Sequence, residues 1–408
     1  MSVLQSMSRG AGSARWARPL RSVLTLGVLS ATLIACGGGG GAAVDPTPPA
    51  AISSFTAGAI SGFGSIIVNG VRFDDSAAEV LDDDGRRHSR DDLKLGAQVE
   101  IEASSIDRSG GHGVATRIRY GSEIVGPVDA VDAAAQHLTV LGQVVEASPR
   151  TVFDDNLPGG LAGIGVGAVL EVHAQFDAAR GVYVATRIEG ESNPASYKLR
   201  GPVASLDTTA KTFLLGSAVI NYGSATEVAA QLANGARVRV QLQPAPVNGQ
   251  WVATEVRSGE RHVEDHSEAE VTGLITAWTS ATLFSVDGLP VDASNATFRE
   301  GQAGVVLGAR VEVEGQVVNG VLIASKVHLE DESDDDHNED YELHGTVSAL
   351  DTSAKTFALR GLTVSYAGSV TWRDVSEADL ADGMTLEVKG HLTSDGTRLE
   401  ATRISRED

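Results

Sequence analysis

The chain has 408 residues with 46 Gly, 5% aromatics and a single cysteine, a mix that suits many short strands and tight turns better than one large core. The formal charge is -22; residues 1–35 hold four Arg and no acid, so the rest carries 28 basic against 54 acidic residues, 28 − 54 = -26. A surface this negative repels phosphate, so nucleic acid is not an expected partner, and the charge is read as solubility or as a means of meeting cations or basic partners.

Residues 1–35 read as a secretory signal: scattered Arg, a short apolar run over 25–35, then small residues before Cys36. The run is well short of the ~20 residues needed to span a bilayer. Leu33-Ile34-Ala35-Cys36 resembles the lipobox of bacterial lipoproteins. That resemblance implies that Cys36 becomes the new N-terminus and carries lipid, making the membrane a partner through the anchor. The expected location is the bacterial cell envelope, with Gly37 suggesting outer-membrane sorting. No other cysteine exists, so disulfides, thiolate metal sites and cysteine nucleophiles are excluded from the exported chain. Residues 36–54 read as a tether, a Gly run followed by a stiffer Pro-rich spacer.

Five copies of one module follow, at 55–122, 123–192, 197–259, 271–330 and 341–408. Each opens with Gly-x-(Val/Ile), at Gly58, Gly126, Gly201, Gly273 and Gly345. Each carries Gly-x-x-(Val/Leu)-charge-(Val/Ile), beginning at Gly96, Gly167, Gly235, Gly308 and Gly383, and closes with Ala-x-charge-(Ile/Val), beginning at Ala115, Ala185, Ala253, Ala324 and Ala401. Apolar and polar residues alternate throughout, the period of half-buried strands. A strand–turn–strand reaches a Gly (Gly70, Gly142, Gly216, Gly288, Gly361), and a third strand follows it. Next comes a connector of about ten residues, and the two motifs supply the last two strands. The expectation is an all-β fold: five tandem OB-like barrels of five strands, with a short helix between the third and fourth, arranged as beads on a string; a rolled β-sandwich would give the same strand pattern.

The charges of the last two strands are opposite in every copy: Glu100/Arg117, Glu171/Arg187, Glu312/Lys326 and Glu387/Arg403, with copy three reversed as Arg239/Glu255. They are expected to pair across a hairpin whose turns fall near Asn248-Gly249, Asn319-Gly320 and Asp395-Gly396. Their role is read as structural rather than catalytic.

The acidic segments 260–270 and 331–340 read as self-repelling linkers, since neither they nor Asp82-Asp83-Asp84 has the ordered spacing of a calcium loop. His262 and His266 stand four apart, a zinc spacing on a helix, but no helical context or third ligand accompanies them. The Gly-rich 159–167 reads as a flexible insertion rather than a phosphate cradle, and Trp251, Trp278 and Trp372 occupy different module positions. No nucleophile elbow, P-loop or dinucleotide motif is found.

The Gly-x-Val opening, the Asp-x-x-x-Lys-Thr-Phe hairpins at Asp207 and Asp351, the Gly-x-x-Val-Glu-Val strand and the closing Ala-Thr-Arg-Ile together resemble a bacterial family. It is a family of small β domains of unknown function found in tandem in secreted lipoproteins, and the resemblance covers about residues 55–406. It implies a fold but brings no catalytic residues. The expected function is a non-enzymatic, lipid-anchored envelope protein, a repeat array that binds an envelope protein or polysaccharide or spaces the surface. A hydrolase acting on envelope polymers and a divalent-cation-responsive scaffold are the readings from other classes. The one nominated site residue is Cys36; no catalytic residue, metal ligand or cofactor is expected.

Overall fold

The apolar positions of the two repeated motifs are the most buried in the chain. Val99/Ile101, Leu170/Val172, Val238/Val240, Val311/Val313 and Leu386/Val388 are at most 2% exposed, and the Ala and Ile or Val of the closing motif are buried in all five copies. Alternation sends these side chains to one face of each strand, and the strands bury that face by rolling into a barrel.

A computed structural model describes residues 53–107, 111–330 and 341–406. In each module the first strand pairs with the second, the second with the third and the fourth with the fifth, all antiparallel. The third runs parallel to the fifth, and the first pairs antiparallel with the fourth. The order 1-2-3-5-4-1 closes the sheet as in an OB-like barrel. In module 2, for example, the strands are Ile124–Asp132, His137–Val140, Gln143–Phe153, Val169–Asp177 and Val182–Gly190.

The opening Gly has a common place in this barrel. Gly58, Gly126, Gly201, Gly273 and Gly345 stand directly opposite the Val or Leu of the fourth-strand motif. A Cβ there would lie 2.5 Å from Asn69 Oδ1 in module 1, 2.4 Å from Leu141 in module 2 and 2.3 Å from Asp287 Oδ2 in module 4, all residues of the turn between strands two and three. That turn folds back over the first strand, and only Gly leaves room for it.

The short connector helix is a single 3-10 turn in modules 1, 2 and 5, at Arg90–Asp92, Gly160–Gly163 and Glu377–Asp379. Part of each connector instead stays extended and adds parallel pairs to the fifth strand, as at Glu79–Asp82, Glu227–Val228, Thr297–Phe298 and Thr371–Arg373. Extension satisfies its backbone groups against a neighbouring strand, which a lone helical turn cannot do. In module 2 the Gly-rich loop is packed, with Leu161 and Ile164 buried in the core.

The string-of-beads expectation is corrected, because strands and cores of different modules join within one compact unit, Ala50–Asp408. The first strand of module 1, Ser54–Gly62, runs parallel to that of module 4 through Ser54↔Glu268 to Ala57↔Val271, and it meets module 5 at Gly62↔Glu342. Modules 2 and 3 join antiparallel at Lys198↔Val125 and Leu199↔Ile124. Buried side chains of modules 1 and 5 form one hydrophobic cluster and those of modules 2 and 3 another. Sharing removes apolar surface that separate small barrels would leave wet, at roughly 25 cal/mol per Å².

Candidate functional site: charged junctions between modules

The hairpin of strands four and five is present in every module, with a register two residues from the one expected. The partners are Glu102↔Arg117, His173↔Arg187, Gln241↔Glu255, Glu314↔Lys326 and Lys389↔Arg403. In module 4 the turn is Asn319-Gly320 with φ of 53° and 75°, the two-residue type in which both central residues are left-handed. That turn centre adds one residue to the register, and a β-bulge adds the second. In each copy a Thr or Ser is skipped on the fifth strand: Thr116, Thr186, Thr254, Ser325 and Thr402. Its hydroxyl donates to the fourth-strand carbonyl of Glu102, His173, Gln241, Glu314 and Lys389 respectively, at 3.0 to 3.3 Å. This residue is the x of Ala-x-charge, Thr or Ser in all five copies, a signal the charge pattern eclipsed. A shift of two keeps every side chain on its expected face. Of the expected ion pairs, Glu387 and Arg403 meet, diagonally, at 2.9 Å.

Arg239 and Arg187 of these hairpins reach neighbouring modules, while Arg117 and Lys326 stay with Glu102 and Glu314 of their own hairpins. Asp83, in the connector of module 1, takes Lys198 at 3.2 Å, Arg200 at 3.4 Å and Arg239 at 3.6 Å from module 3. Asp84 takes Arg239 at 2.8 Å and Gln241 Nε2 at 2.9 Å. Glu123, which opens module 2, accepts from Arg200 and Arg237, both at 2.9 Å. Burial pushes the Asp83 carboxyl up, but Lys198, Arg200 and Arg239 outweigh it and hold it at about 2. Burial likewise opposes ionisation of Glu123, and Arg200 and Arg237 bring it below the ordinary value.

A second junction centres on Arg187, which is 0% exposed. Its guanidinium donates to Asp154 Oδ2, to Glu189 Oε1 at 2.6 Å and to the Leu95 carbonyl of module 1 at 3.2 Å. Gly361 of module 5 packs beside Asp154. A guanidinium so deeply buried is stable only with such a full set of acceptors.

The third junction joins modules 1 and 5. Glu342 accepts a two-pronged contact from Arg72 at 2.7 and 2.6 Å, and Lys389 also binds it. Burial raises the Glu342 carboxyl, while hydrogen bonds from His344, Arg72 and Lys389 lower it well below the ordinary carboxylate range. Glu342, His344 and Glu387 offer ligand atoms within 4.8 Å of one another. With Arg72 and Lys389 on Glu342 and Arg403 on Glu387, cationic side chains already fill the place a metal would take.

Cys36, the signal, most of the tether and the linker 331–340 lie outside the described residues. His262 is exposed, while His266 is buried against Phe55 with ring centroids 5.6 Å apart. His266 begins strand His266–Ser280 rather than a helix, so the two histidines do not form the zinc pair. Of Asp82–Asp84, Asp83 and Asp84 bind cationic side chains of module 3, while Asp82 holds Arg86 and His88 of its own connector.

One family model, a domain of unknown function termed DUF5666, matches residues 52–119, 125–189, 200–257, 272–328 and 344–405, most of the chain. The chain belongs to the DUF5666 family. Its five DUF5666 modules are thus the five barrels. No curated protein matches it. Among solved structures, "drosophila Unr CSD456" is similar over 53% of this chain and 98% of its own, at 13% identity and a TM-score of 0.14, too little to bear on fold or function.

Proposed function

We propose that this DUF5666 protein is a lipid-anchored cell-envelope protein that works by presenting a rigid body for binding or spacing, without catalysis. The supporting observation is the use of its buried charges. Arg187, Asp83, Glu123 and Glu342 each bind partners in another module, so the polar groups with the most perturbed environments fix the modules to one another. Buried, perturbed carboxylates and cations are also what a catalytic site collects, but here each has a structural partner. The formal charge of -22 leaves the protein with a net acidic surface. Such a surface suits basic or cation-bridged envelope partners.

The Leu-Ile-Ala-Cys36 sequence supports the anchor. Two measurements test the reading together. Cells fed a labelled fatty acid should label the wild-type chain and not Cys36→Ala, which should move to the soluble envelope fraction. The lipid-free chain, used as bait on solubilised envelope, should retain one defined polymer or protein. Equal labelling of both chains refutes the anchor, and hydrolysis of the captured polymer refutes the non-catalytic role.

A further inference from the structure

Four large apolar side chains lie open at one end of module 4. Trp278, Leu283, Val306 and Leu307 are 46, 45, 46 and 37% exposed. Trp278 and Leu283 belong to the hairpin of the first two strands, where Ser280 pairs with Leu283. Val306 and Leu307 belong to the connector. Trp278 Nε1 donates to the Val305 carbonyl at 2.8 Å and so ties hairpin and connector together. No acidic, basic or histidine residue occurs in 275–286 or 301–309.

The other copies show that the barrel does not need these residues. At the pair that closes the same hairpin, modules 2, 3 and 5 have Asp132 with His137, Asp207 with Thr212 and Asp351 with Thr356. Those carboxylates accept from amides of the turn, as Asp207 does from Thr209 and Ala210, both at 2.8 Å. In module 4 the Ser280 hydroxyl accepts from the amides of Thr282 and Leu283 at 3.3 and 3.1 Å, so the cap is kept and the charge is gone. Modules 3 and 5 fasten the connector with Asn234 and Asp382, which accept from the amides of Leu206 and Leu350. Leu307 stands in their place, one residue before the fourth-strand Gly, and the indole N–H makes the fastening instead. In module 1 the apolar residues of this end, Phe63 and Leu95, are buried, and in module 2 Asp132 and His137 keep the hairpin polar. Among the described residues module 4 alone presents an apolar, uncharged end.

Four side chains of about 200 Å² each, exposed by a little under half, leave roughly 350 Å² open. A stable protein interface takes about 800 Å² a side, so the patch is too small to hold a soluble partner or a second copy by itself. It suffices where another bond has already brought two surfaces together, because a tether supplies an effective concentration of about a millimolar. The lipid proposed at Cys36 is such a bond, and this inference rests on that reading. The sixteen residues 37–52 can span up to about 55 Å. Ser54 pairs with Glu268, and the ten residues from there to Trp278 cover at most about 33 Å of strand, so the patch is within reach. An indole suits headgroup level, where its ring meets the acyl chains while its N–H keeps a partner, here the Val305 carbonyl. An uncharged end also meets anionic headgroups without the repulsion that the rest of an acidic surface brings.

We propose that this end of module 4 docks on the bilayer that carries the Cys36 lipid, through Trp278, Leu283, Val306 and Leu307. The test uses the membrane form of the full chain, floated with phosphatidylcholine vesicles whose acyl chains carry bromine, a contact quencher of indole. Wild-type fluorescence should fall relative to unbrominated vesicles, and Trp278→Phe should remove most of that difference. The triple variant L283T/V306A/L307N takes the residues that module 3 has at these positions, Thr212, Ala233 and Asn234, so its barrel should fold. It keeps Trp278 but should show at least threefold less quenching, with flotation and melting temperature unchanged. A chain that floats without quenching, or a triple variant quenched like the wild type, overturns the docking and leaves the anchor standing. A chain that does not float refutes the anchor and this inference with it. A dimer in detergent that the triple variant lacks would assign the face to a second copy and overturn the proposal likewise.

Discussion

Replacing Asp83 with Asn probes whether the modules are one cooperative body. The carboxyl is 16% exposed and held at about 2 against an ordinary 3.8, by three cations that all belong to module 3. The difference, about 1.8, is worth about 2.4 kcal/mol at pH 7 at 1.36 kcal/mol per pKa unit. Because the folded-state value is lowered, this stability is present above pH 3.8 and lost as pH falls through 3.8 toward 2. Asp83→Asn should therefore destabilise by about 2–3 kcal/mol at pH 7, with the gap to wild type closing near pH 2. If all modules melt together, about 350 residues at ~2.1 cal/mol/K each give an entropy near 0.7 kcal/mol/K and a fall in Tm of about 3 °C. If a single module of about 65 residues melted alone, the fall would be about 17 °C in one of several transitions. Differential scanning calorimetry at pH 7 and at low pH separates these outcomes. A split transition, or a loss that persists undiminished at pH 2, would falsify the reasoning.

Thr402→Val removes the bulge hydroxyl that donates to the Lys389 carbonyl at 3.1 Å and should cost about 1 kcal/mol in denaturant unfolding, with faster exchange of the amides flanking the bulge. Gly142→Ala places a Cβ 2.6 Å from Ser217 Oγ and 2.7 Å from Ala218 N, at a φ of +70°, so it should destabilise the contact of modules 2 and 3 by about 1–3 kcal/mol; a neutral effect in chemical denaturation would show that the turn is not tightly docked. Lys326→Ala breaks an exposed pair with Glu314 at 2.9 Å, its own side chain being 65% exposed, and should change stability by less than about 1 kcal/mol, less still in high salt. Glu342→Gln should make acid unfolding shallower: a carboxyl lowered in the fold contributes stability above its unfolded value and loses it as pH falls, so wild type and variant should converge in strongly acidic buffer.

The barrel was legible because its information is local and repeated. Period-two alternation marked the strands, and the Gly of strand one faces the Val or Leu of strand four in all five copies. The register was misread by two because a bulge inserts a residue without moving any side chain to the other face; Thr or Ser between Ala and the charge was its only trace. The extended part of the connector was not foreseen because alternation in a short polar segment gives no view of the strand edge beside it. The junctions were not legible at all. Asp83 and Arg239 are 156 residues apart, and nothing within either repeat announces the other. The surroundings of Glu171 were misread for a related reason: it was matched to Arg187, when its cross-strand neighbour is Glu189 and Arg187 turns inward.

The reversal of charge in copy three now has a different cause from cross-strand pairing. Where modules 1, 2, 4 and 5 carry Glu100, Glu171, Glu312 and Glu387, module 3 carries Arg239, and the position before its opening Gly is Arg200, against Ala57, Val125, Thr272 and His344 elsewhere. Both arginines reach module 1, Arg200 and Arg239 to Asp83 and Arg239 also to Asp84. Module 1 is the copy with the longest acidic and basic connector, and that connector supplies both aspartates. In module 3 the sign at the fourth-strand position therefore follows the neighbour the module meets, not its own hairpin partner. A barrel whose core tolerates any charge on its outer face can be repeated five times and addressed differently each time. Restoring the usual sign, Arg239→Glu, should then disturb the junction with module 1 while leaving module 3 able to close its barrel. Combining it with Asp84→Arg should recover part of the loss, and a double variant no more stable than Arg239→Glu alone would show that these charges do not address each other.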